Sequence, residues 1–250
     1  MTGIRLLSSD LDGTLVSFSG DHSASRRFAD MWRSLPEDER PLLCFNSGRL
    51  VADLRAAAAE AGLPAPDFLV GGVGTTIVDR DGRVLHEYQH QFRDGWERSL
   101  VTEVLEATPG VQPQPERYQS PFKSSWYLLN ASEQDLLDLR QRLAQVELDV
   151  TVVYSSARDL DVLPARADKG NAVRYLCQHL GISANQVVVA GDTGNDASMF
   201  AVHGINGILV GNAKAELVQA AAGCEPFAAR ELEADGVIEG LVHYGVCQRD

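Results

Sequence analysis

A chain that drives a short apolar strand straight into two carboxylates has few folds open to it. Residues 6–16 read LLSSDLDGTLV, so Asp10 and Asp12 follow an apolar run with no turn between. Carboxylates at the end of a core strand are costly to desolvate unless a cation, a hydrogen-bonded turn or a chemical role compensates. Four other runs share the apolar character of IRLLSS (4–9): PLLCFN (41–46), DFLVGG (67–72), QVVVAG (186–191) and GILVGN (207–212). Each reads as a buried parallel strand. Between them lie SRRFADMWRSL, VADLRAAAAEAG, KGNAVRYLCQHLG and NDASMFAVHG, whose apolar residues recur at helical spacing and often stop at Gly. This βαβ alternation predicts an α/β fold with a doubly wound parallel sheet.

The middle of the chain has another texture. IVDRDGRVLHEY carries an Asp81-Gly82 pair that predicts a hairpin. A helix is expected over 94–107, with Trp96, Leu100, Val101, Val104 and Leu105 on one side. After the loop PGVQPQPERYQSP come a strand KSSWYLL (123–129), a helix over 132–145, and the strands DVTVVYSS (149–156) and DLDVLP (159–164). Alternating polar and apolar residues in these strands predict an open-faced α+β insert over 84–164, flanked by core segments 1–83 and 165–250.

Composition narrows the partners. The net charge of -13 and the scatter of Lys and Arg leave no basic stripe for nucleic acid. Lys123, Lys169 and Lys214 are the only lysines, which singles each out. Cys44, Cys177, Cys224 and Cys247 are separated by 133, 47 and 23 residues, a spacing that matches no metal-ligand pattern and reads as reduced thiols. The N-terminus lacks the apolar core of a signal peptide, and no apolar run approaches the roughly 18 residues of a membrane span. A soluble, cytoplasmic monomer without nucleic-acid or membrane partners is expected.

Ligands of open α/β sheets bind beyond the carboxyl ends of the strands. Those ends carry Asp10 and Asp12, then Asn46 and Ser47, then GGVGT (71–75), then Asp192; Lys169 opens a helix just after the insert. Each alone is most simply a helix cap or turn residue. Together they suit phosphoryl transfer. Two or three carboxylates can hold Mg2+, an ion that takes oxygen ligands. The Ser47 hydroxyl, the Gly48 amide and a lysine can clamp phosphate oxygens. One aspartate can attack phosphorus, and another can protonate the leaving oxygen and then activate water.

Four motifs, DLDGT (10–14), NSGR (46–49), RADKGNA (166–172) and GDTGND (191–196), resemble in order those of the haloacid dehalogenase superfamily of phosphatases. The resemblance implies a Rossmann-like core with a C2-type cap inserted where the α+β segment falls. It makes Asp10 the nucleophile and Asp12 the acid/base, with the Asp12 backbone carbonyl also on Mg2+. Ser47, Gly48 and Lys169 become phosphate clamps, Asp192 a metal ligand, and Asn195 and Asp196 supports of phosphate and metal. A finer resemblance, to sucrose-phosphatases and related sugar-phosphate phosphatases, rests on SSARDLDVLPARADKGNA (155–172), GGVGT and SPFKSSW (120–126). It implies a phosphorylated disaccharide, sucrose 6-phosphate first and mannosylfructose phosphate as the alternative. On it, Lys123 and Arg158 of the cap and Gly72, Gly74 and Thr75 of the glycine turn are expected at the substrate. Arg158 departs from the Lys of much of the sucrose group, and Ser47 replaces a commoner Thr.

Rival readings are weaker. HEYQH (86–90) spells a zinc-protease motif. Its alternation after the hairpin predicts a strand, in which the histidines stand too far apart for one zinc, and no third ligand follows. GGVGT lacks the G-x-G-x-x-G of a dinucleotide site and is expected to bring backbone close to substrate or cap. A non-catalytic phosphoacceptor needs no second aspartate two residues on, and a dead relative should have lost one of Asp10, Asp12, Lys169 or Asp192. Arg49 is expected to pair with an acidic residue across the cleft.

Overall fold

The computed structural model describes residues 3–155 and 157–248; Ser156, at the end of DVTVVYSS, lies outside them. Two compact units divide the chain, Met1–Leu85 with Asp168–Asp250, and His86–Ala167. The first unit opens with β1 (Leu6–Ser9), α1 (Ser23–Ser34), β2 (Leu42–Asn46), α2 (Val51–Glu60), β3 (Phe68–Gly71) and β4 (Thr76–Asp79). The second holds α3 (His86–His90), α4 (Arg98–Glu106), β5 (Val111–Pro113), β6 (Ser124–Leu128), α5 (Glu133–Gln145), β7 (Val150–Ser155) and β8 (Asp159–Pro164). The first resumes with α6 (Lys169–Leu180), β9 (Val187–Gly191), α7 (Ala197–Phe200), β10 (Asn206–Leu209), α8 (Ala215–Ala221), β11 (Phe227–Ala228) and α9 (Glu233–His243).

The first unit is an α/β fold on a seven-stranded sheet in the order β11-β10-β9-β1-β2-β3-β4. Every pairing is parallel except β3–β4. Register sets Leu7 between Leu43 and Val188. All four residues of β1 are buried, because helices cover both faces of a central parallel strand. Burial on both faces leaves no polar–apolar alternation along the strand, and Ser8 and Ser9 are buried with Leu6 and Leu7. On α1, Phe28, Ala29 and Trp32 form the buried stripe, with the Phe28 and Trp32 rings stacked at 5.4 Å. The order β9-β1-β2-β3 has a functional consequence: the carboxyl ends that carry Asp192, Asp10, Ser47 and the glycine turn are neighbours.

The second unit is a four-stranded antiparallel sheet in the order β5-β6-β8-β7. Its own core joins Val101 and Leu105 of α4 and Leu139 and Leu143 of α5 to Trp126, Leu128, Leu160 and Val162 of the sheet. Ser132 and Asp135 start α5 with a reciprocal capping box. Pro113 is tolerated because β5 is an edge strand.

Several local expectations are corrected. HEYQH forms the short helix α3 rather than a strand. Tyr88 and Phe92, four residues apart, are both buried and meet edge to face at 5.0 Å, a contact that helical spacing allows and alternation does not. His86 and His90 are exposed, and among the described residues only Asp10, Asp192 and Asp196 form a group able to hold a metal. The helix expected over 94–107 begins only at Arg98. Gly95, at φ +76, turns the chain first, and the buried Trp96 donates to the Pro121 carbonyl at 2.9 Å. The Pro-rich loop contains β5, too short to leave a periodic signal.

Leu7 sits fully buried at the centre of the sheet, so Leu7→Ala should lower stability by roughly 2–5 kcal/mol. Urea denaturation followed by circular dichroism should show an earlier midpoint with an unchanged m-value.

Candidate active site

β1 ends one residue before Asp10, whose N–H donates to the Ala190 carbonyl at 2.9 Å and so extends the parallel ladder to β9. Asp10 is thus held by the sheet itself and is buried. Lys169 opens α6, capped by Asp168, whose carboxylate accepts the Asn171 N–H at 2.7 Å. The Asn46 side-chain amide donates to the Lys169 carbonyl at 3.0 Å, joining the end of β2 to that helix start. From there the fully buried Lys169 ammonium donates to Asp10 Oδ1 at 2.7 Å, Asp196 Oδ1 at 2.6 Å and Asn195 Oδ1 at 3.3 Å.

Asp196 has both oxygens engaged. Oδ2 accepts the Asp192 and Thr193 N–H groups at 3.0 and 3.1 Å, folding the GDTGND loop back on itself. Asp192 is nearly fully buried and accepts the Thr14 hydroxyl at 3.3 Å. Carboxylate oxygens from Asp10, Asp192 and Asp196 lie within 4.8 Å of one another. The Lys169 ammonium reaches two of these three buried carboxylates and leaves Asp192 with the Thr14 hydroxyl, an imbalance that a divalent cation with hard oxygen ligands would relieve. The donor set therefore fits a metal site of the Mg2+ type. Gly13 makes room for it: at φ +80, any Cβ there would lie 2.3 Å from Asp192 Oδ2.

Asp12 is placed apart from this cluster. Its two oxygens accept from Arg49 Nε and Nη2, both at 2.7 Å, as a bidentate pair. The acidic partner expected for Arg49 is thus Asp12. Ser47 is buried at the end of β2, and its Oγ accepts the Arg49 N–H at 3.1 Å. Gly48 is half-buried, next along the same turn.

The glycine turn comes close to backbone rather than to open space. Gly72, Val73 and Gly74 all have positive φ, and a Cβ on Gly74 would lie 2.2 Å from the Asp168 carbonyl oxygen. The Gly72 and Val73 N–H groups donate to the Arg49 and Ser47 carbonyls at 2.7 and 3.1 Å. Thr75 is fully buried. The turn thus braces the Ser47 and Lys169 segments against each other.

In the second unit, Lys123 is nearly buried and donates to Ser125 Oγ and Asp161 Oδ1, each at 2.5 Å. Arg158 is 56% exposed, pairs with Asp159 at 3.1 Å and lies over the Tyr127 ring at 5.4 Å. The ties made by Asn46 and Thr14 escaped sequence reasoning. Both residues are common beside strand ends and turns, and only the three-dimensional contact shows their partners.

Electrostatics follow from burial. Desolvation pushes the Asp10 carboxyl up to about 8, against the pull of Lys169 and with Asp196 and Asp192 adding to the rise. Desolvation and then Asp196 push Asp192 up to about 6. Burial works against the Lys169 charge, but the Asp10 and Asp196 carboxylates outweigh it and hold the ammonium above its ordinary range. Both raised carboxyls contribute stability that is present below the ordinary carboxylate range and lost as pH rises through about 6 and about 8. The Tm of chelator-treated protein should therefore fall from about pH 5 to about pH 9. Added Mg2+ should raise Tm more at the alkaline end, as differential scanning fluorimetry would read.

This arrangement has relatives. The sequence profile of the family described as sucrose-6F-phosphate phosphohydrolase matches residues 4–245. A mannosylfructose-phosphate phosphatase from Agrobacterium fabrum is 46% identical over the full length of both chains. Sucrose-phosphatase 1 from Nicotiana tabacum is 34% identical over 96% of this chain and 59% of its own length. Among solved structures, the sucrose-phosphatase of Synechocystis, in complex with sucrose and phosphate, superposes with a TM-score of 0.86 at 28% identity. It is covered over 99% of its length, and this chain over 98%. The chain belongs to the sucrose-6F-phosphate phosphohydrolase family of the haloacid dehalogenase superfamily and is a sugar-phosphate phosphohydrolase.

Proposed function

We propose that the chain hydrolyses a phosphorylated disaccharide, with mannosylfructose phosphate as the first candidate and sucrose 6-phosphate as the second. The observation that carries this order is 46% identity to a mannosylfructose-phosphate phosphatase over both full lengths, against 34% to the tobacco sucrose-phosphatase. It reverses the order that the resemblance to sucrose-phosphatases implied. Arg158, a departure from the sucrose group, supports the reversal.

In this reading Asp10 attacks phosphorus through a carboxylate oxygen as the phosphorus–sugar oxygen bond breaks. Asp12 gives its proton to the departing sugar oxygen, then takes one from water, whose oxygen displaces Asp10 from phosphorus and restores the free carboxylate. Both Asp12 oxygens are engaged by Arg49, so that pair opens for Asp12 to carry a proton to the leaving group. Lys169 acts as a phosphate clamp by exchanging one of its ammonium contacts, to Asp10, Asp196 or Asn195, for a phosphate oxygen, a role supported by its place beside Asp10. Ser47 and Gly48 offer a hydroxyl and an amide to the remaining phosphate oxygens. Mg2+ held by Asp10, Asp192 and the Asp12 carbonyl would neutralise the carboxylates and draw charge from the phosphate. Asp196 and Asn195 orient Lys169, a role that their contacts to its ammonium support.

The antiparallel unit serves as the cap. Arg158, exposed and stacked on Tyr127, is the stronger sugar contact there. Lys123 has its ammonium engaged by Ser125 and Asp161, which favours a shaping role.

Asp10→Asn should lower turnover on every phosphate ester by on the order of 10^4-fold or more in a phosphate-release assay. Excess EDTA should abolish activity, with restoration by Mg2+; full activity in EDTA would remove the metal from the reading. A panel of mannosylfructose phosphate, sucrose 6-phosphate and hexose phosphates should give the highest kcat/KM for the first. Arg158→Lys should move the ratio between the two disaccharides while changing kcat for either by less than about threefold.

A further inference from the structure

Phe18 is the one aromatic among the large apolar side chains exposed in the described residues, at 77%. A single exposed apolar residue normally needs no explanation. Two features set this one apart. The first is its address: the position that a Cβ on Gly13 would take lies 2.3 Å from Asp192 Oδ2 and 2.8 Å from Phe18 Cε2. The ring edge and the carboxylate cluster therefore flank the same glycine. Gly13 directly follows Asp12, and an Asp12–Val16 bridge ties the turn to the catalytic strand end.

The second feature is how firmly the turn is built. Ser17 Oγ meets Ser19 Oγ at 2.9 Å and accepts the Ser19 N–H at 3.2 Å. The Asp21 N–H donates to Ser19 Oγ at 3.2 Å. Ser23 then donates its N–H and its hydroxyl to the two Asp21 oxygens, both at 2.9 Å. Gly20, at φ +80, closes the bend with open space around it. A polar ladder thus holds an apolar ring out in water at the rim of the carboxylate cluster. Hydrogen bonds within the turn restrict its backbone, and a restricted contact loses less entropy on binding.

We infer that Phe18 is a specificity-determining platform, on which the apolar face of the substrate's sugar ring stacks when its phosphate lies at the carboxylate cluster. The inference rests on the proposed reading of the chain as a sugar-phosphate phosphatase with its phosphate at Asp10. It adds the core's own contact to the sugar. A pyranose or furanose ring presents C–H groups on one face, and a flat aromatic ring with two side-chain torsions meets that face at low entropic cost. An acyclic phosphate ester such as glycerol phosphate has no such face.

The test is the ratio of kcat/KM for disaccharide phosphate to that for glycerol phosphate, in the holoenzyme with Mg2+. Phe18→Ala should lower this ratio by about tenfold through a raised KM for the sugar substrate, with kcat held within about twofold. Phe18→Tyr should restore the ratio, and Phe18→Leu should not. Competitive inhibition by inorganic phosphate should keep its Ki within about twofold in all three variants, since the ring does not hold the phosphate. An unchanged ratio in Phe18→Ala overturns the platform, as does full restoration by leucine. A parallel rise in the phosphate Ki also overturns it, because Phe18 would then act by shaping the carboxylate cluster. A lower kcat at constant KM overturns it in favour of a role in a conformational step. If the unaltered protein hydrolyses sugar phosphates no better than glycerol phosphate, the reading of function fails and takes the platform with it. If it prefers sugar phosphates and Phe18→Ala keeps that preference, only the platform fails.

Discussion

One ammonium in a dry corner organises this molecule. Lys169 is fully buried, and its ammonium shares its charge with Asp10, Asp196 and Asn195 rather than with bulk solvent. Its position depends on three pieces of chain far apart in sequence. The Asp168 cap fixes the start of α6, the Asn46 amide holds the Lys169 carbonyl, and the glycine turn presses on the Asp168 carbonyl. A buried charge tolerates little error, because the penalty for leaving it unpaired is several kcal/mol. The sheet order follows the same demand, since only adjacent strand ends can deliver the needed carboxylates to one point.

The cluster is over-supplied with negative charge for its one cation. Burial pushes Asp10 and Asp192 upward while Lys169 remains charged. A divalent cation with hard oxygen ligands would offset that excess of negative charge. In the proposed reading Asp10 is the nucleophile, and the Lys169 ammonium bonded to its oxygen favours the charged form against the effect of burial. Asp12 meets a different demand. It is held by Arg49 at a more exposed place, where, in the proposed reading, it can exchange a proton with water.

The second unit has its own hydrophobic core and its own antiparallel sheet. Its polar side chains are bound among themselves: Lys123 with Asp161, and Arg158 with Asp159 and Tyr127. The carboxylate cluster and its lysine lie wholly in the first unit. In the proposed reading the sugar is met by side chains outside the four core motifs, so those motifs carry little information about its identity.

The architecture was legible in the residues themselves. The short apolar runs, alternating with helical patterns, matched the parallel strands of the sheet, and the motif residues sat where those strands end. The gathering of Asp10, Lys169 and Asp192 at one edge follows from that placement, because backbone register carries each of them there; their individual roles were implied only by the family resemblance. Other features needed the folded chain. HEYQH became a helix because Tyr88 and Phe92 found one buried side, and five residues are too few for periodicity to foretell it. The glycine turn proved to brace Ser47 and Lys169, and Arg49 found its partner in Asp12, since a contact between distant segments leaves no trace in either segment alone. Local chemistry determined which groups could react; tertiary packing decided which of them touch, and so which are charged, dry and aligned.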